Sequence, residues 1–345
     1  MANTNTSIEW TDATWSPVTG CTKVSAGCKH CYAEGVAERF WGERKFTDVR
    51  CHPERLEAPL HWRKPRRVFV NSMSDLFHED VQAEFIGRVF AVMALCPQHT
   101  FQILTKRPQR MADLFADGIV GPVRGWAEQI AWERTRDAGS NLPANQFRLS
   151  WPLPNVWLGV SAEDQATADE RIPLLLETPA AVRFVSCEPL LGPIDVTVLQ
   201  RSDGWQVDSL RGIYSHSCDE GFDHPAAYEE VPGGPHLDWL IVGGESGPNA
   251  RPCDVAWIRS IVEQCGEAGL ACFVKQLGAV PFVGDGKHTH VSGYRGYGVV
   301  CDQGDPCPHC GKHPITQWPS LVLRDRKGSD PSEWPDDLRV REFPR

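Results

Sequence analysis

Short apolar runs that end in polar residues recur along the chain, and patterns typical of helices separate them. The runs lie at residues 68–70, 101–104, 156–160, 182–185, 239–242 and 272–274. Such runs are typical of strands in a parallel sheet that is covered on both faces. Residues 79–96 carry a helical pattern, and Asp254 can cap a further helix. The alternation continues over about 280 residues and predicts an α/β fold, a partial or near-complete parallel (β/α) barrel.

Two segments depart from this alternation. Residues 200–236 lack periodicity and are rich in Gly, Asp, His and Pro, which predicts a long insertion between two strand–helix units, a candidate lid. The region from residue 281 onward is rich in Gly, Pro and Trp and has few apolar runs. We therefore predict a barrel over residues 1–280, with the insertion inside it, and a C-terminal extension over residues 281–345.

Charged residues follow six of the predicted strands. In a parallel barrel the chemistry lies at the carboxyl ends of the strands, so we expect these residues at a shared mouth. The alternative is that polar residues follow strands because loops are exposed to water. The six residues are Asp75, Lys106, Glu163, Glu188, Glu245 and Lys275.

Charge and hydropathy narrow the class of protein. The formal net charge of −10 argues against a surface built entirely to hold polyanions, although it leaves room for a local basic groove. The N-terminus lacks the basic start and apolar run of a signal peptide. The longest apolar stretch, residues 85–96, is interrupted by Arg88 and is too short to span a bilayer. We predict a cytoplasmic protein with no membrane partner.

Three of the thirteen cysteines lie on one short segment. Cys21, Cys28 and Cys31 have the spacing C-x6-C-x2-C, and a cytoplasmic compartment disfavours disulfides between them. Three thiolates form a soft-metal site, and three protein ligands leave one coordination position open. One alternative is a zinc ion completed by His30 or His52, and another is three unligated thiols.

This three-cysteine loop resembles that of the radical S-adenosylmethionine (SAM) superfamily. The usual spacing there is C-x3-C-x2-C with an aromatic residue before the last cysteine, whereas this chain has six residues in the first gap and His30 before Cys31. The whole chain more closely resembles a phage-associated family of uncharacterised three-cysteine-motif proteins. The matching segments are residues 15–21, 72–78, 104–108, 243–247, 275–276 and 334–344.

The resemblance implies a barrel of the radical SAM type that holds a [4Fe-4S] cluster on Cys21, Cys28 and Cys31. SAM would bind the open iron through its amine and carboxylate. The resemblance places Ser72, Ser74 and Asp75 in the amine-binding segment, and Lys106 or Arg107 is the expected partner of the carboxylate. The alternatives are that Asp75 caps a helix and that the two cations are solvated.

Further residues are candidates for this chemistry. Glu163 or Asp164 is expected to accept hydrogen bonds from the ribose of SAM, and Glu245 is expected to line the mouth. Cys187 is a candidate hydrogen-atom donor, with a buried structural thiol as the alternative. Lys275 is the second candidate for a catalytic side chain.

A second ligand-rich segment lies in the C-terminal extension. Cys301, Cys307, Cys310 and His313 can complete a tetrahedral zinc site, since Cys-x2-Cys followed by glycine is common in zinc knuckles. An auxiliary iron–sulfur cluster and the absence of metal are the alternatives.

The function expected from the resemblance is radical SAM chemistry on a nucleic-acid base, in modification or repair. It requires SAM and an electron donor, and the expected partners are DNA or RNA and a protein encoded by a neighbouring gene. A basic run at residues 63–67 and thirteen tryptophans are compatible with nucleic-acid binding. The alternative function is a non-catalytic zinc protein that binds nucleic acid or supports assembly.

Overall fold

The computed structural model describes residues 6–137, 149–217, 228–283, 290–291, 298–299, 321 and 323–344. Seven of its strands form a parallel sheet with the order β1-β4-β5-β6-β7-β12-β14. In the first part of the chain the strands are β1 (Ala13–Trp15), β2 (Val18–Thr19), β3 (Arg50–Cys51), β4 (Arg67–Val70), β5 (Thr100–Thr105), β6 (Val156–Ser161) and β7 (Val182–Cys187). Those that follow are β8 (Leu199–Gln200), β9 (Gln206–Asp208), β10 (Ile213–Ser217), β11 (Tyr228–Val231), β12 (Trp239–Gly243), β13 (Cys253–Asp254), β14 (Ala271–Gln276), β15 (Pro281–Phe282), β16 (His290–Val291) and β17 (Gly298–Val299).

All six predicted strands belong to this sheet, and its parallel register confirms the α/β class. Val68 pairs with Ala13 on one side and Phe101 on the other, and Leu240 pairs with Cys272. The strands are largely buried, as continuous apolar runs require. The sheet is compatible with a partial (β/α) barrel.

The chain divides into two compact units. The first comprises residues 1–160 and 174–184, and the second comprises residues 161–173 and 185–345. Of the six charged residues that follow strands, Asp75 and Lys106 belong to the first unit and the other four to the second. The shared mouth predicted for them therefore stays a prediction.

The helices are α1 (Tyr32–Phe40), α2 (Ala83–Ala94), α3 (Pro108–Ala116), α4 (Val120–Asp137), α5 (Gln165–Glu177) and α6 (Val255–Ala268). α2 is shorter than the predicted pattern and buries Phe85, Val89 and Val92. The predicted cap of α6 is confirmed, because the Asp254 carboxylate accepts from the Ala256 amide at 2.9 Å. No helix of the described segments is both long and apolar enough to cross a membrane.

The predicted insertion contains a small antiparallel sheet. Strands β8 to β11 pair in the order β11-β10-β9-β8, between β7 and β12 in the chain. Its strands are two to five residues long, so a sequence pattern of period two has little length in which to appear.

The three-cysteine loop joins β2 to α1 in the first unit. Residues Ala26–Cys28 form a single 3-10 turn, and Cys31 is the N-terminal cap residue of α1. The antiparallel pairing of β2 with β3 lies just before the loop. All three cysteines are half-buried.

Candidate functional site

The three-cysteine loop is tied at its start to the segment that follows β4. Gly20 forms an isolated parallel bridge with Ser74, whose hydroxyl donates to the Val18 carbonyl at 2.8 Å. Gly20 has φ +95°, and a Cβ at this position would lie 2.5 Å from the Asp48 carbonyl oxygen. This position therefore requires glycine. The bridge brings Cys21 beside the predicted SAM-binding segment.

Arg107 uses all five of its N–H donors inside the protein. Its Nε donates to Glu79 Oε2 at 2.8 Å. One terminal nitrogen donates to Cys21 Sγ at 3.5 Å and to Asp75 Oδ2 at 3.4 Å. The other donates to the carbonyl and the hydroxyl of Thr22, at 3.2 and 2.7 Å. A guanidinium holds these donors in a fixed plane, so Arg107 clamps the loop to the ends of β4 and β5.

We call these hydrogen bonds of Arg107 the Arg107 clamp. The carboxylate of Asp75 is their central acceptor. Its carboxylate accepts from the Thr105 hydroxyl at 2.8 and 2.9 Å and from the amides of Phe77 and Lys106 at 2.9 and 3.0 Å. The residue is only 5% exposed, and these donors together with Arg107 offset the cost of burying its charge. In this arrangement Asp75 orients Arg107.

His78 supports the clamp from the other side of Thr22. Its Nδ1 accepts from the Asp80 amide at 3.2 Å, and its Nε2 lies 2.8 Å from the Thr22 hydroxyl. The first bond assigns the proton of the neutral ring to Nε2. Burial and the nearby Arg107 charge lower the pKa of His78, which favours this neutral form.

The remaining predicted cofactor contacts of the first unit are Ser72 and Lys106. Both are partly exposed. The carbonyl of Ser72 accepts a hydrogen bond from the Tyr32 hydroxyl, which connects the start of α1 to this edge. All the donors of Arg107 are used within the protein, and the contact of Lys106 or Arg107 with a ligand carboxylate stays a prediction.

Cys21 differs from the other two thiols of the loop in its surroundings. Burial raises the pKa of its thiol to about 11, the charge of Asp75 adds to the rise, and Arg107 opposes it. The Sγ of Cys28 lies 3.9 Å from the Ser25 hydroxyl. Metal ligands must be thiolates, so binding a metal here would release protons.

The donors of the three-cysteine loop bear on whether it suits a single metal ion or a cluster. Within the described segments, no three His, Cys, Asp or Glu side chains converge on the position of a single ion. His52, one predicted fourth ligand of zinc, has its ring nitrogens 2.8 Å from the Thr19 hydroxyl and 3.0 Å from Glu54. Three soft sulfur donors without a disulfide among them suit an iron–sulfur cluster, which spaces its cysteines more widely than one ion does.

The second unit contains a separate polar cluster. The Lys275 ammonium donates to both oxygens of Glu188, at 2.7 and 2.9 Å, and Gln276 donates to the same carboxylate at 2.9 Å. Gln276 also donates to the Gly244 carbonyl. The side chains of Lys275 and Glu188 are 24% and 17% exposed, so both reach solvent.

Glu245 and the two glycines before it are held by local contacts. Its carboxylate accepts from the Arg251 guanidinium at 2.8 and 2.9 Å and from the Arg251 amide at 2.8 Å. A Cβ on Gly244 would lie 2.4 Å from the Leu277 carbonyl oxygen, and one on Gly243 would lie 3.0 Å from that of Gln276. Close backbone packing thus explains these glycines without a ligand.

Two further predicted residues of this unit are fully buried. Glu163 is 0% exposed and pairs with Arg171 at 3.1 Å, and Arg171 also donates to the Ser161 carbonyl. Cys187 is likewise 0% exposed, and burial raises the pKa of its thiol. The contact of Glu163 with ribose and the hydrogen donation by Cys187 stay predictions, and both would require these side chains to become accessible.

The second cysteine group lies outside the described residues. It comprises Cys301, Cys307, Cys310 and His313, and its predicted zinc site is therefore not placed.

Several partners of the predicted residues were not expected from the sequence. Thr22, His78 and Glu79 assemble around Arg107, while Arg171 and Arg251 neutralise Glu163 and Glu245. One signal was available for His78, since it follows the apolar pair at residues 76–77 in a matching segment. Thr22 and the arginines carry no local signal, because they act only through partners distant in sequence.

Comparison with known proteins identifies the family to which this chain belongs. A family model, described as a protein of unknown function (DUF5131), matches residues 5–302. No curated protein and no solved structure matches the chain. The matched range includes the three-cysteine loop, the Arg107 clamp and the Glu188–Lys275 pair, and ends before Cys307. Because it covers well over half of the sequence, the chain belongs to the DUF5131 family.

Proposed function

We propose that this chain is a radical SAM enzyme that holds a [4Fe-4S] cluster on Cys21, Cys28 and Cys31 and acts on a nucleic-acid base. The observation that carries the proposal is the guanidinium of Arg107. It lies within hydrogen-bond distance of both the Cys21 sulfur and the Asp75 carboxylate. Residues to which the resemblance gives the roles of cluster ligand and SAM-binding segment thus meet within one unit.

The chain's own groups have distinct tasks in this proposal. The three cysteines would ligate the cluster and leave one iron without a protein ligand. When bound, the cluster supplies an electron that cleaves SAM into methionine and a 5′-deoxyadenosyl radical, and that radical removes a hydrogen atom from the substrate. The Arg107 clamp holds Cys21 in place, and Asp75 and His78 hold the clamp.

The partly exposed edge beside the clamp is proposed to receive SAM. Ser72 is the proposed acceptor for the amine, and Lys106 is the proposed partner of the carboxylate. The buried carboxylate of Asp75 contributes through Arg107 and does not contact the ligand. In the second unit, Lys275 is the proposed proton-transfer group, because its ammonium is partly exposed and donates to the Glu188 carboxylate.

Anaerobic purification with iron and sulfide analysis tests this proposal. We expect a brown protein with iron and acid-labile sulfide, which forms 5′-deoxyadenosine when dithionite and SAM are added. Alanine at Cys21, Cys28 or Cys31 should abolish the cluster. Cys51→Ala is the matched control, since Cys51 is another half-buried thiol, on the strand β3 that pairs with β2. It should keep the cluster.

Two results would overturn the proposal. A colourless protein that contains zinc bound by the loop cysteines would favour the non-catalytic alternative. A fully loaded cluster that yields no 5′-deoxyadenosine with dithionite and SAM would exclude SAM cleavage as its activity.

A further inference from the structure

Exposed apolar side chains concentrate beside the three-cysteine loop. Large apolar residues are mostly buried in the described segments, yet Val24, Tyr32, Val36 and Phe40 are 46%, 60%, 39% and 72% exposed. Single exposed apolar residues are ordinary on a protein surface. These four lie within seventeen residues of sequence, and contiguous exposed apolar surface marks interaction sites.

Three of these residues form one stripe along α1. Tyr32, Val36 and Phe40 are spaced by four residues, which places them on the same side of a helix over a length of about 12 Å. Ala33 and Ala37 are buried and lie next to Phe40 around the helix, so they attach α1 to the protein along one edge of the stripe. The side that carries Tyr32, Val36 and Phe40 is thus exposed to solvent.

The charged residue beside this stripe on α1 is basic, and a second basic residue lies in the loop before the helix. Arg39 and Lys29 are exposed, and neither side chain has an ion pair or hydrogen bond to any described residue. By helical spacing, Arg39 lies on the same side as Tyr32, whereas Glu34 and Glu38 lie on the far side. Residues 22–46 contain five Lys or Arg and three Glu, a net positive segment in a chain of net charge −10.

The surface beside the stripe is also open, so that a planar group such as a base can approach it. Gly35 lies next to Arg39 around the helix, on the side away from Tyr32, and a Cβ added there would meet nothing within 4 Å. Aromatic faces that alternate with unpaired cations are the features with which proteins hold single strands: bases stack on the rings, and phosphates pair with the cations. A length of about 12 Å corresponds to about three base steps of a stacked strand.

We infer that the exposed face of α1 is a binding surface for single-stranded nucleic acid, with Tyr32 and Phe40 as stacking platforms and Arg39 and Lys29 as phosphate contacts. The inference deepens the proposed function, since it names the class of substrate presented next to the three-cysteine loop. Its catalytic meaning rests on that function, while the binding itself does not require the cluster.

Fluorescence anisotropy with labelled single-stranded oligonucleotides, both DNA and RNA, tests the surface on the full chain. We expect Phe40→Ala to weaken binding at least about fivefold, because it removes one stacking platform. Phe40→Tyr should restore binding. Arg39→Ala should weaken binding and reduce the slope of log affinity against log salt by about 0.7.

Trp132→Ala is the matched control. Trp132 is a 49% exposed aromatic residue on α4 in the same unit, and its loss should leave the affinity unchanged. Phe40 is mostly exposed, so Phe40→Ala should also keep the thermal stability of the chain. Iron and sulfide are measured on the same samples, which separates failure of the surface from failure of the proposed cluster.

Three outcomes would overturn the inference. The first is the absence of oligonucleotide binding at low salt. The second is binding that Phe40→Ala and Arg39→Ala leave unchanged. The third is a concentration-dependent dimer that Phe40→Ala dissociates, without any oligonucleotide binding, which would assign the face to a second copy of the chain.

Discussion

Arg107 and Lys275 each neutralise a carboxylate near the end of a sheet strand, but their surroundings differ. Arg107 is 9% exposed and bonds Cys21, Thr22, Asp75 and Glu79 through five donors. Lys275 is 24% exposed and donates to the two oxygens of one carboxylate, that of Glu188. The rigid, buried guanidinium organises a loop, whereas the flexible, wetter ammonium keeps access to solvent. The contacts of Arg107 indicate a positioning role, and proton transfer by Lys275 stays a proposal.

The largest effect on stability is expected from Arg107→Ala. Removing one partner of a nearly buried ion pair costs roughly 3–5 kcal/mol, and Asp75 keeps its bonds to Thr105 and two amides, so we expect about 3 kcal/mol. Urea unfolding followed by circular dichroism measures the loss. A loss below about 1 kcal/mol would show that the clamp contributes no more than a surface pair.

Arg107→Lys should recover only a small part of that loss. A lysine keeps the charge, but its ammonium has three donors on a flexible stem and cannot bind four residues in one plane. The same urea titration compares the two variants. Full recovery by lysine would mean that charge alone holds the loop and that the planar fork is unimportant.

Lys275→Ala should change stability by less than about 1 kcal/mol, because its ion pair with Glu188 is partly exposed and water replaces the lost contact. The predicted loss is in turnover, since the proposed role is proton transfer. Product formation by the loaded enzyme is the measurement, and Lys275→Arg keeps the positive charge while blocking release of a proton. Unchanged turnover in both variants would remove Lys275 from the proposed chemistry.

The smallest expected effect is on the dependence of the unfolding free energy on acidic pH. Burial alone would raise the pKa of Glu79, but its backbone hydrogen bond and Arg107 together lower that pKa to about 2. The unfolded chain binds this proton more readily, so the stabilisation is present above about pH 4.5 and is lost as the pH falls toward 2. Glu79→Gln should make the unfolding free energy less dependent on pH between about 4.5 and 2. An unchanged acid dependence would contradict the pairing with Arg107.

The strands and helices could be predicted because their signals are local. Buried parallel strands are continuous apolar runs, and the Asp254 cap is set by a residue and its near neighbours in the chain. The short strands β8 to β11 have no such signal, because two to five residues cannot establish a period.

The candidate site was only partly predictable. The resemblance suggested that Cys21, Ser74, Asp75 and Arg107 belong together, but it did not reveal the internal hydrogen bonds that these residues make. Their ligand contacts stay predictions. The reason is that a polar residue after a strand looks the same whether it meets a ligand or a distant side chain. Gly244 is a similar case, since its closeness to the Leu277 carbonyl depends on folding of a remote segment.

Electron paramagnetic resonance of the dithionite-reduced chain, recorded with and without SAM, tests the central claim that three cysteines hold a cluster with one open iron. The account predicts the signal of a reduced [4Fe-4S] cluster that changes when SAM is added and that is missing in Cys28→Ala. A chain that shows no such signal after iron and sulfide loading, or one whose signal is indifferent to SAM, would contradict it.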